Sequence, residues 1–324
     1  MIQTLPYKTK QFFFVLIKIS IVVAAFYFIY LKLTKNSDLE YSIFTELLSK
    51  NNLFSLKNII SLAFLSIFNW FFEILKWQQL VVPVKNIRFK NALEQTLGSL
   101  TASLFTPNRI GEYGAKALYY TKDYIKHIML INLIGNLLQM AVTMVFGVVG
   151  FYFFVKEFQV NLNFSRTLEI SIVLLIVATL IAFYIRKTKF TIKGFSFEKI
   201  KTFITNYPRK TLVYGVGLSL LRYVIFSFQF YYLLLLFGIE ITYLQAMMFI
   251  TPMYLLASII PSIFIFDVVI KGSIAVYLFS FIGVSGVTIL SIISLMWVFN
   301  FVIPSVFGSY FVLKFNLPET NTCL

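Results

Sequence analysis

Six long apolar stretches constrain the fold of this chain more than any other feature of its sequence. Each is long enough to cross the ~30 Å hydrocarbon core of a bilayer as a helix. Inside lipid a chain must satisfy its backbone hydrogen bonds internally, so such stretches predict helices. Because the sequence is 59% hydrophobic and only 13% charged, we expect an all-α integral membrane protein, a polytopic helical bundle with residues 1–324 in a single transmembrane domain. The predicted spans are 11–32, 57–80, 128–154, 167–186, 211–237 and 284–313.

Two further apolar regions, 92–125 and 243–282, are interrupted in the middle. In each, a proline (Pro107 or Pro261) is followed by an acidic residue, and a lysine follows four positions after the acid. Each region is expected to form a re-entrant hairpin or a pair of short helices, and the sequence leaves both open. Paired interruptions in the two halves of a membrane protein indicate a central substrate site. We therefore expect both prolines to lie deep in the membrane at similar depth.

The charges of the loops predict how the chain is oriented. The loop 186–210 carries eight basic residues against Glu198 alone, and basic loops face the cytoplasm. The loop 33–56 is rich in acidic residues, and the turn 238–242 carries only Glu240, so both are expected outside. This arrangement predicts a multi-pass protein of the cell inner (cytoplasmic) membrane with both termini in the cytoplasm.

The order of the predicted segments indicates an internal repeat. The half 11–154 runs span, span, broken hairpin, span, and the half 167–313 runs in the same order. Three full spans is an odd number, so the second half starts from the opposite side of the membrane. The sequence therefore predicts an inverted repeat, the architecture of many secondary transporters, in which 57–154 superposes on 211–313.

Composition also limits the kinds of site that the chain can hold. It contains one histidine, His127, and one cysteine, Cys323, which cannot build a zinc site or a Cys/His nucleophile pair. We expect no metal and no cofactor. The net charge of +15 resides largely in short loops between spans, which predicts orientation and contact with anionic lipid rather than with nucleic acid. Nothing in the sequence indicates an oligomeric state.

Charged residues around the two interruptions are the first candidates for a substrate site. Glu112 and Lys116 are four residues apart, as are Asp267 and Lys271, so each pair lies on one helix face and can neutralise itself. Arg109 precedes the first pair in the same run. A charge inside the bilayer costs ~2.5–3.5 kcal/mol on insertion scales, so each needs a partner or a watery cavity. Static ion pairs and the lining of a substrate cavity both stay open.

Arg222 lies in the middle of the predicted span 211–237, where its own helix offers no acid. It must therefore find a partner on another helix, and Glu73, Glu112 and Asp267 are the candidates. The phosphate of a lipid headgroup is an alternative, because a guanidinium binds phosphate with two parallel hydrogen bonds.

One helix face in the span 128–154 is polar. Asn132, Asn136, Gln139 and Thr143 recur at helical spacing, and polar groups facing lipid would be unsatisfied. The face is therefore expected to point into the bundle, either as hydrogen-bonding contact between helices or as the lining of a cavity.

The run Thr-Pro-x-Arg-x-Gly-Glu at 106–112, followed later by Pro261 and Asp-x-x-x-Lys-Gly at 267–272, resembles the lysylphosphatidylglycerol synthase transmembrane family, also called flippase-like. The resemblance covers roughly residues 60–313. It implies a polytopic bacterial or archaeal inner-membrane protein that handles lipids or lipid-linked sugars. The second motif departs from the family pattern, in which a glycine-rich stretch stands where this chain has Ile263 to Lys271.

The best-known members of the family join this region to a cytosolic aminoacyltransferase, which the present sequence lacks, so we expect no synthase activity. The leading hypothesis is a non-enzymatic protein that translocates or binds an anionic lipid or lipid-linked headgroup across the inner membrane. The alternatives are an intramembrane transferase acting on a lipid carrier, with Glu112 or Asp267 as base, and a non-catalytic structural membrane subunit.

Overall fold

The fold is that of a helical bundle, and a computed structural model describes most of it. For 191–192, 195–200 and 267–270 only the backbone is described. The described residues are 55–104, 106, 109–160, 191–192, 195–259 and 267–317, with five isolated positions between 16 and 27.

Nearly all of the described residues with regular structure are helical. The last long helix, Gly286–Lys314, is α-helical at both ends and contains a π-helical segment, Val298–Val302. The elements are α1 (Leu56–Val81), α2 (Phe89–Ser103), α3 (Gly111–Ala117), α4 (Ile125–Glu157), β1 (Thr191–Ile192), β2 (Phe195–Ser196), α5 (Phe197–Thr205), α6 (Arg209–Leu236), α7 (Tyr243–Ile259), α8 (Asp267–Ser280), α9 (Gly286–Trp297) and α10 (Ile303–Lys314).

Four helices are long and apolar enough to cross a membrane: Leu56–Val81, Ile125–Glu157, Arg209–Leu236 and the composite helix Gly286–Lys314. They confirm four of the six predicted spans and the polytopic helical class. The predicted spans 11–32 and 167–186 lie outside the described residues, apart from isolated helical positions in the first. The basic loop 186–210 contains the small antiparallel pair β1–β2 and the helix α5.

Local sequence explains where several helices begin and end. The side chain of Ser55 accepts a hydrogen bond from the backbone N–H of Asn58 at 3.4 Å, and Ser285 caps α9 through Thr288 in the same way. Serine at this position satisfies a backbone donor that the helix itself leaves free. Gly238 follows α6 with a φ of +75°, a conformation that costs glycine little and that ends helices.

The helices α1 and α6 pack against each other in opposite directions. Near the start of α1, Asn58 accepts a hydrogen bond from the Tyr232 hydroxyl, and the Leu62 carbonyl accepts one from Gln229. At the far end of α1, Leu80 packs where a Cβ on Gly215 would lie, near the start of α6. The second spans of the two predicted halves are therefore antiparallel, as a two-fold axis in the membrane plane requires.

Two further helix contacts form a reciprocal pair, in which the last helix of each half packs against the interrupted region of the other half. The helix α10, which ends the second half, packs on α2 of the first, where Gly308 leaves no room for a Cβ beside the Leu97 carbonyl. The helix α4, which ends the first half, packs on α7 of the second, where Gly150 leaves no room beside Thr251. The inverted repeat stays a prediction, and a two-fold axis relating the two halves would produce this pair of contacts.

Each interrupted region contains two helices: α2 and α3 in the first, and α7 and α8 in the second. The two helices of each region contact one another. Pro107 and the segment 260–266, which includes Pro261, lie outside the described residues, so their predicted depth stays a prediction.

Asn300, in the π-helical segment, ties three helices together. Its amide donates to Gln229 at 2.9 Å and accepts from Asn69 at 2.8 Å, and its carbonyl accepts from the Trp70 indole at 3.0 Å. A π-helical turn shifts the register of the helix by one residue and is often found at functional sites. Here it helps to place Asn69, which also contacts the site described next.

Candidate functional site

A cluster of six charged side chains lies where α1, α3, α4 and α6 meet, and we call it the charged cluster. Four of its members are almost fully buried, although α1 and α6 are membrane-spanning by length and composition. Such residues are rare inside a bilayer and mark functional sites by default. The charged cluster consists of Glu73, Lys76, Arg109, Glu112, Lys116 and Arg222.

Glu73 is the acid of the first half of the charged cluster. Its carboxylate lies 2.7 Å from the Lys76 ammonium, one turn along α1, and 2.8 Å from the Arg222 guanidinium of α6. Glu73 is therefore the partner of Arg222 among the three acids considered from the sequence. Glu73 and Lys76 are 8% and 2% exposed, so this ion pair is shielded from solvent.

Glu112 is the acid of the second half. Its carboxylate lies 2.8 Å from the Arg109 guanidinium and 2.7 Å from the Lys116 ammonium. The contact with Lys116 confirms the ion pair expected from the four-residue spacing. Glu112 and Lys116 are 6% and 1% exposed, so both charges are held inside the protein.

The local fold explains the Thr-Pro-x-Arg-x-Gly-Glu run. The Thr106 hydroxyl accepts a hydrogen bond from the backbone N–H of Gly111 at 2.9 Å, which secures the start of α3. A Cβ on Gly111 would lie 2.8 Å from a carbon of Thr106, so glycine allows this close approach. Arg109 has a φ of +56°, which is uncommon outside glycine and often found at functional sites. The run thus directs Arg109 and Glu112 toward each other.

Lys116 is held on three sides. Its ammonium donates to Glu112 at 2.7 Å and to the side-chain oxygen of Asn132 at 2.8 Å, and lies 4.3 Å from the centre of the Trp77 ring. An aromatic face attracts a cation, most strongly when water is excluded. Lys116 therefore links α3 to α4 and to α1.

Arg222 points into the bundle, as expected. Besides its ion pair, it donates to the side-chain oxygen of Asn69 at 3.1 Å and to that of Gln139 at 3.5 Å. Its guanidinium carbon lies 6.0 Å from the centre of the Trp70 ring. Arg222 thus contacts α1 and α4 from α6.

The polar face of α4 points into the bundle at two of its positions. Asn132 and Gln139 bond to the two halves of the charged cluster, and Gln139 also donates to the Ser219 carbonyl. Asn136 donates to the Tyr113 hydroxyl of α3, whereas Thr143 donates to the carbonyl of Gln139 on its own helix. The face therefore connects α3, α4 and α6.

Two donors at the charged cluster have no hydrogen-bond acceptor among the described residues: the Nε of Arg109 and the Nδ2 of Asn132, which contacts Lys116. Asn132 is 2% exposed, so water at the protein surface does not reach it. Buried donors are nearly always satisfied in folded proteins, and an unsatisfied one calls for an explanation such as a bound group. Both donors are thus available to a ligand.

The structure describes only part of the second charged pair. Asp267 is the first residue of α8, and its side chain lies outside the described residues. Lys271 lines a separate cavity of about 80 Å³ together with Tyr254 and Phe301. Phe301 lies under the Arg109 guanidinium, 5.8 Å from ring centre to carbon, and so stands between the two places. The substrate roles of Asp267 and Lys271 stay predictions.

Sequence reasoning missed part of the charged cluster. Lys76 and Asn69 were not singled out, and Glu73 was considered only as a partner of Arg222. The available signal was their spacing in the span 57–80, where Asn69, Glu73 and Lys76 recur at three and four residues on one helix face. Two ionisable residues within an apolar span are themselves a signal of function.

Comparison with known families decides the classification. The model of one family, described as the lysylphosphatidylglycerol synthase TM region, matches residues 15–308, nearly the whole chain. The chain belongs to this family. It is thus a membrane protein related to lipid handling, as the Thr-Pro-x-Arg-x-Gly-Glu run indicated. All six residues of the charged cluster lie within the part of the chain that matches the family. No curated protein and no solved structure matches the chain significantly.

Proposed function

We propose that the protein binds an anionic lipid, or a lipid-linked anionic headgroup, at the charged cluster and translocates it across the inner membrane. The observation that carries the proposal is the imbalance of charge within the charged cluster. Among the described residues of the charged cluster, four cations surround two carboxylates, which leaves two positive charges in excess. An anion would neutralise that excess.

The energetics favour a phosphate as the neutralising group. A charge inside the bilayer costs ~2.5–3.5 kcal/mol on insertion scales, so the net excess of two positive charges in the charged cluster favours a counter-ion. Phosphate carries negative charge and several strong acceptor oxygens, and arginine binds it with two parallel hydrogen bonds. The free donors of Asn132 and Arg109 add further hydrogen-bonding capacity.

Accessibility assigns different tasks to the cations. The side chains of Arg109 and Arg222 are 25% and 21% exposed, whereas those of Lys116 and Lys76 are 2% and 3% exposed. The two arginines can therefore reach a headgroup that enters the site. The two lysines form ion pairs with the two carboxylates, so the net charge of the charged cluster stays positive.

The geometry favours binding and transport over transferase chemistry at Glu112. A general base must be able to take a proton from the substrate. The carboxylate of Glu112 is engaged by two cations, Arg109 and Lys116, which stabilise its ionised form and occupy its oxygens. We therefore place Glu112 in the site as a structural anion that positions the two cations around it.

Lipid retention measured by native mass spectrometry tests the binding part of the proposal. The purified full chain is exposed to equal amounts of phosphatidylglycerol and phosphatidylcholine, whose headgroups differ in net charge. We expect the wild type to retain phosphatidylglycerol preferentially. Arg109→Lys and Arg222→Lys should each weaken that preference, because lysine keeps the charge but loses the planar pair of donors.

A matched control removes a cation elsewhere in the chain. Lys156→Gln deletes an exposed charge at the end of α4, so it should leave the preference unchanged. Equal retention of the two lipids by the wild type would refute the proposal. Full preference in both arginine variants would show that the arginines serve only as ion-pair partners.

A further inference from the structure

An apolar groove of about 560 Å³ lies between α1, α2 and the composite helix that ends in α10. Six residues of α1 line it at spacings of three or four between Ala63 and Ile74, which is one face of that helix. Its volume lies within the ~300–1,000 Å³ of sites that hold small molecules. Nearly all of its lining is hydrocarbon, so its occupant must be apolar as well.

The groove has a buried floor and an exposed rim. Trp70 and Leu97 on the floor are 6% and 8% exposed, whereas Ile67 and Phe307 on the rim are 65% and 64% exposed. Because the rim residues are apolar and both α1 and the composite helix Gly286–Lys314 are long enough to span a membrane, we expect the groove to open sideways toward lipid. A molecule already in the bilayer can enter it without crossing water.

One end of the groove adjoins the charged cluster. Trp70 lines the groove, and the same indole lies 6.0 Å from the guanidinium carbon of Arg222. Ile74, the last groove residue of α1, is flanked on its helix by Glu73 and Lys76 of the charged cluster. The charged cluster and the apolar groove thus lie side by side along α1.

We infer that this groove holds a hydrocarbon chain of the lipid whose headgroup the charged cluster binds. The inference rests on the proposed function, and it goes further because it assigns a place in the fold to the hydrocarbon chain of that lipid. The charged cluster alone fits a free phosphate equally well. The adjoining groove selects the lipid form of the ligand, since only a lipid fills both places at once.

The dimensions fit one leaflet of a bilayer. From Ala63 to Ile74 is eleven residues, ~16 Å along an α-helix, and the hydrocarbon core of one leaflet is ~15 Å deep. The charged cluster lies at the end of the groove nearer to Val81, where α1 ends. The lipid therefore has its headgroup toward the Val81 end and its chain toward Ala63, as in the leaflet on that side. Three basic residues, Lys85, Arg88 and Lys90, follow the Val81 end of α1, and basic loops face the cytoplasm, which predicts that this is the cytoplasmic leaflet.

Chain length is the variable that tests the inference. Retention on the purified full chain is compared for phosphatidylglycerol with two eighteen-carbon chains, phosphatidylglycerol with two six-carbon chains, and glycerol 3-phosphate. The two phosphatidylglycerols share one phosphodiester headgroup and differ only in hydrocarbon, whereas glycerol 3-phosphate is a phosphate monoester without a chain. We expect the long-chain lipid to bind at least tenfold more tightly than the short-chain lipid, and glycerol 3-phosphate to bind most weakly.

Blocking the groove should remove this discrimination. Ala63→Trp places an indole in the groove and should bring long-chain binding down to the short-chain level. Val148→Trp adds the same bulk on a lipid-facing position of α4, 58% exposed and outside the groove, and should change nothing. If Ala63→Trp does not fold, Ile67→Trp blocks the groove from its exposed rim and gives the same reading.

The outcomes separate the two proposals. Arg222→Gln should weaken both phosphatidylglycerols alike; if it changes neither, the headgroup site is wrong. If Arg222→Gln acts as expected but the groove variants keep the full preference for long chains, the headgroup site stands and the groove inference is overturned. Equal binding of long and short chains by the wild type also overturns it.

Discussion

Replacing Lys116 by methionine tests whether the charged cluster holds the fold together. Lys116 is 1% exposed and bonds to Glu112 and Asn132 at 2.7 and 2.8 Å. Methionine has a similar length but no charge, so the change removes both bonds and leaves little empty space. Glu112 would then keep only Arg109 as a counter-ion.

The expected loss follows from the burial of the pair. Removing one partner of a buried ion pair costs ~3–5 kcal/mol, because the other charge is left uncompensated. Since Glu112 retains Arg109, we expect the lower end, a loss of about 3 kcal/mol. Adding Glu112→Gln also removes the carboxylate that has lost Lys116. The double variant should therefore lose less stability than the sum of the losses in the two single variants. A coupling of ~1–3 kcal/mol is expected for residues in direct contact.

Thermal unfolding of the purified protein in one detergent, at a fixed lipid content, measures these differences. Trp77, whose ring lies 4.3 Å from the Lys116 ammonium, provides a fluorescence signal close to the change. Lys156→Met is the control, because a surface substitution usually stays within ~0.5 kcal/mol. A Lys116→Met protein that melts at the same temperature as the wild type would refute the structural importance of the pair.

Three further predictions concern packing, the start of α3 and orientation. Gly308→Ala should lower Tm, because its Cβ would overlap the Leu97 carbonyl and overpacking costs ~1–3 kcal/mol. Gly217→Ala, with open space around it, should raise Tm slightly, and equal shifts of Tm in the two variants would contradict the α2–α10 contact. Thr106→Val should lower Tm by removing the acceptor of the Gly111 N–H, a loss of ~1 kcal/mol, and an unchanged Tm would show that this bond is dispensable. Single cysteines in 186–210 should react with an impermeant reagent only from the cytoplasmic side; labelling from outside would reverse the predicted orientation.

The helical spans were predictable because length and apolar composition alone dictate them in a membrane. The ion pair of Glu112 with Lys116 was predictable for a similar local reason, since four residues on a helix place two side chains together. Both inferences need only neighbouring positions in the sequence. They therefore require no knowledge of how the helices pack.

Contacts between distant helices could not be chosen from the sequence. Arg222 had three possible acids, and only the antiparallel packing of α1 on α6 brings Glu73 to it. The left-handed conformation of Arg109 and the π-helical turn around Asn300 are likewise products of tertiary packing, without a local signature that distinguishes them. The inverted repeat is a prediction from the order of the segments, and the antiparallel packing of α1 on α6 required the structure.

Headgroup translocation by Arg222→Lys protein tests the central claim most directly. Vesicles containing the purified protein and a fluorescent phosphatidylglycerol are treated with an impermeant quencher, and the fraction of protected headgroups is followed over time. The wild type should make headgroups on the inner leaflet accessible, whereas Arg222→Lys should do so at least tenfold more slowly with an unchanged Tm, because lysine keeps the ion pair with Glu73 but loses the paired donors for phosphate. Wild-type translocation by Arg222→Lys, together with lost stability in Arg222→Ala, would contradict a headgroup-binding role and leave Arg222 as an ion-pair partner only.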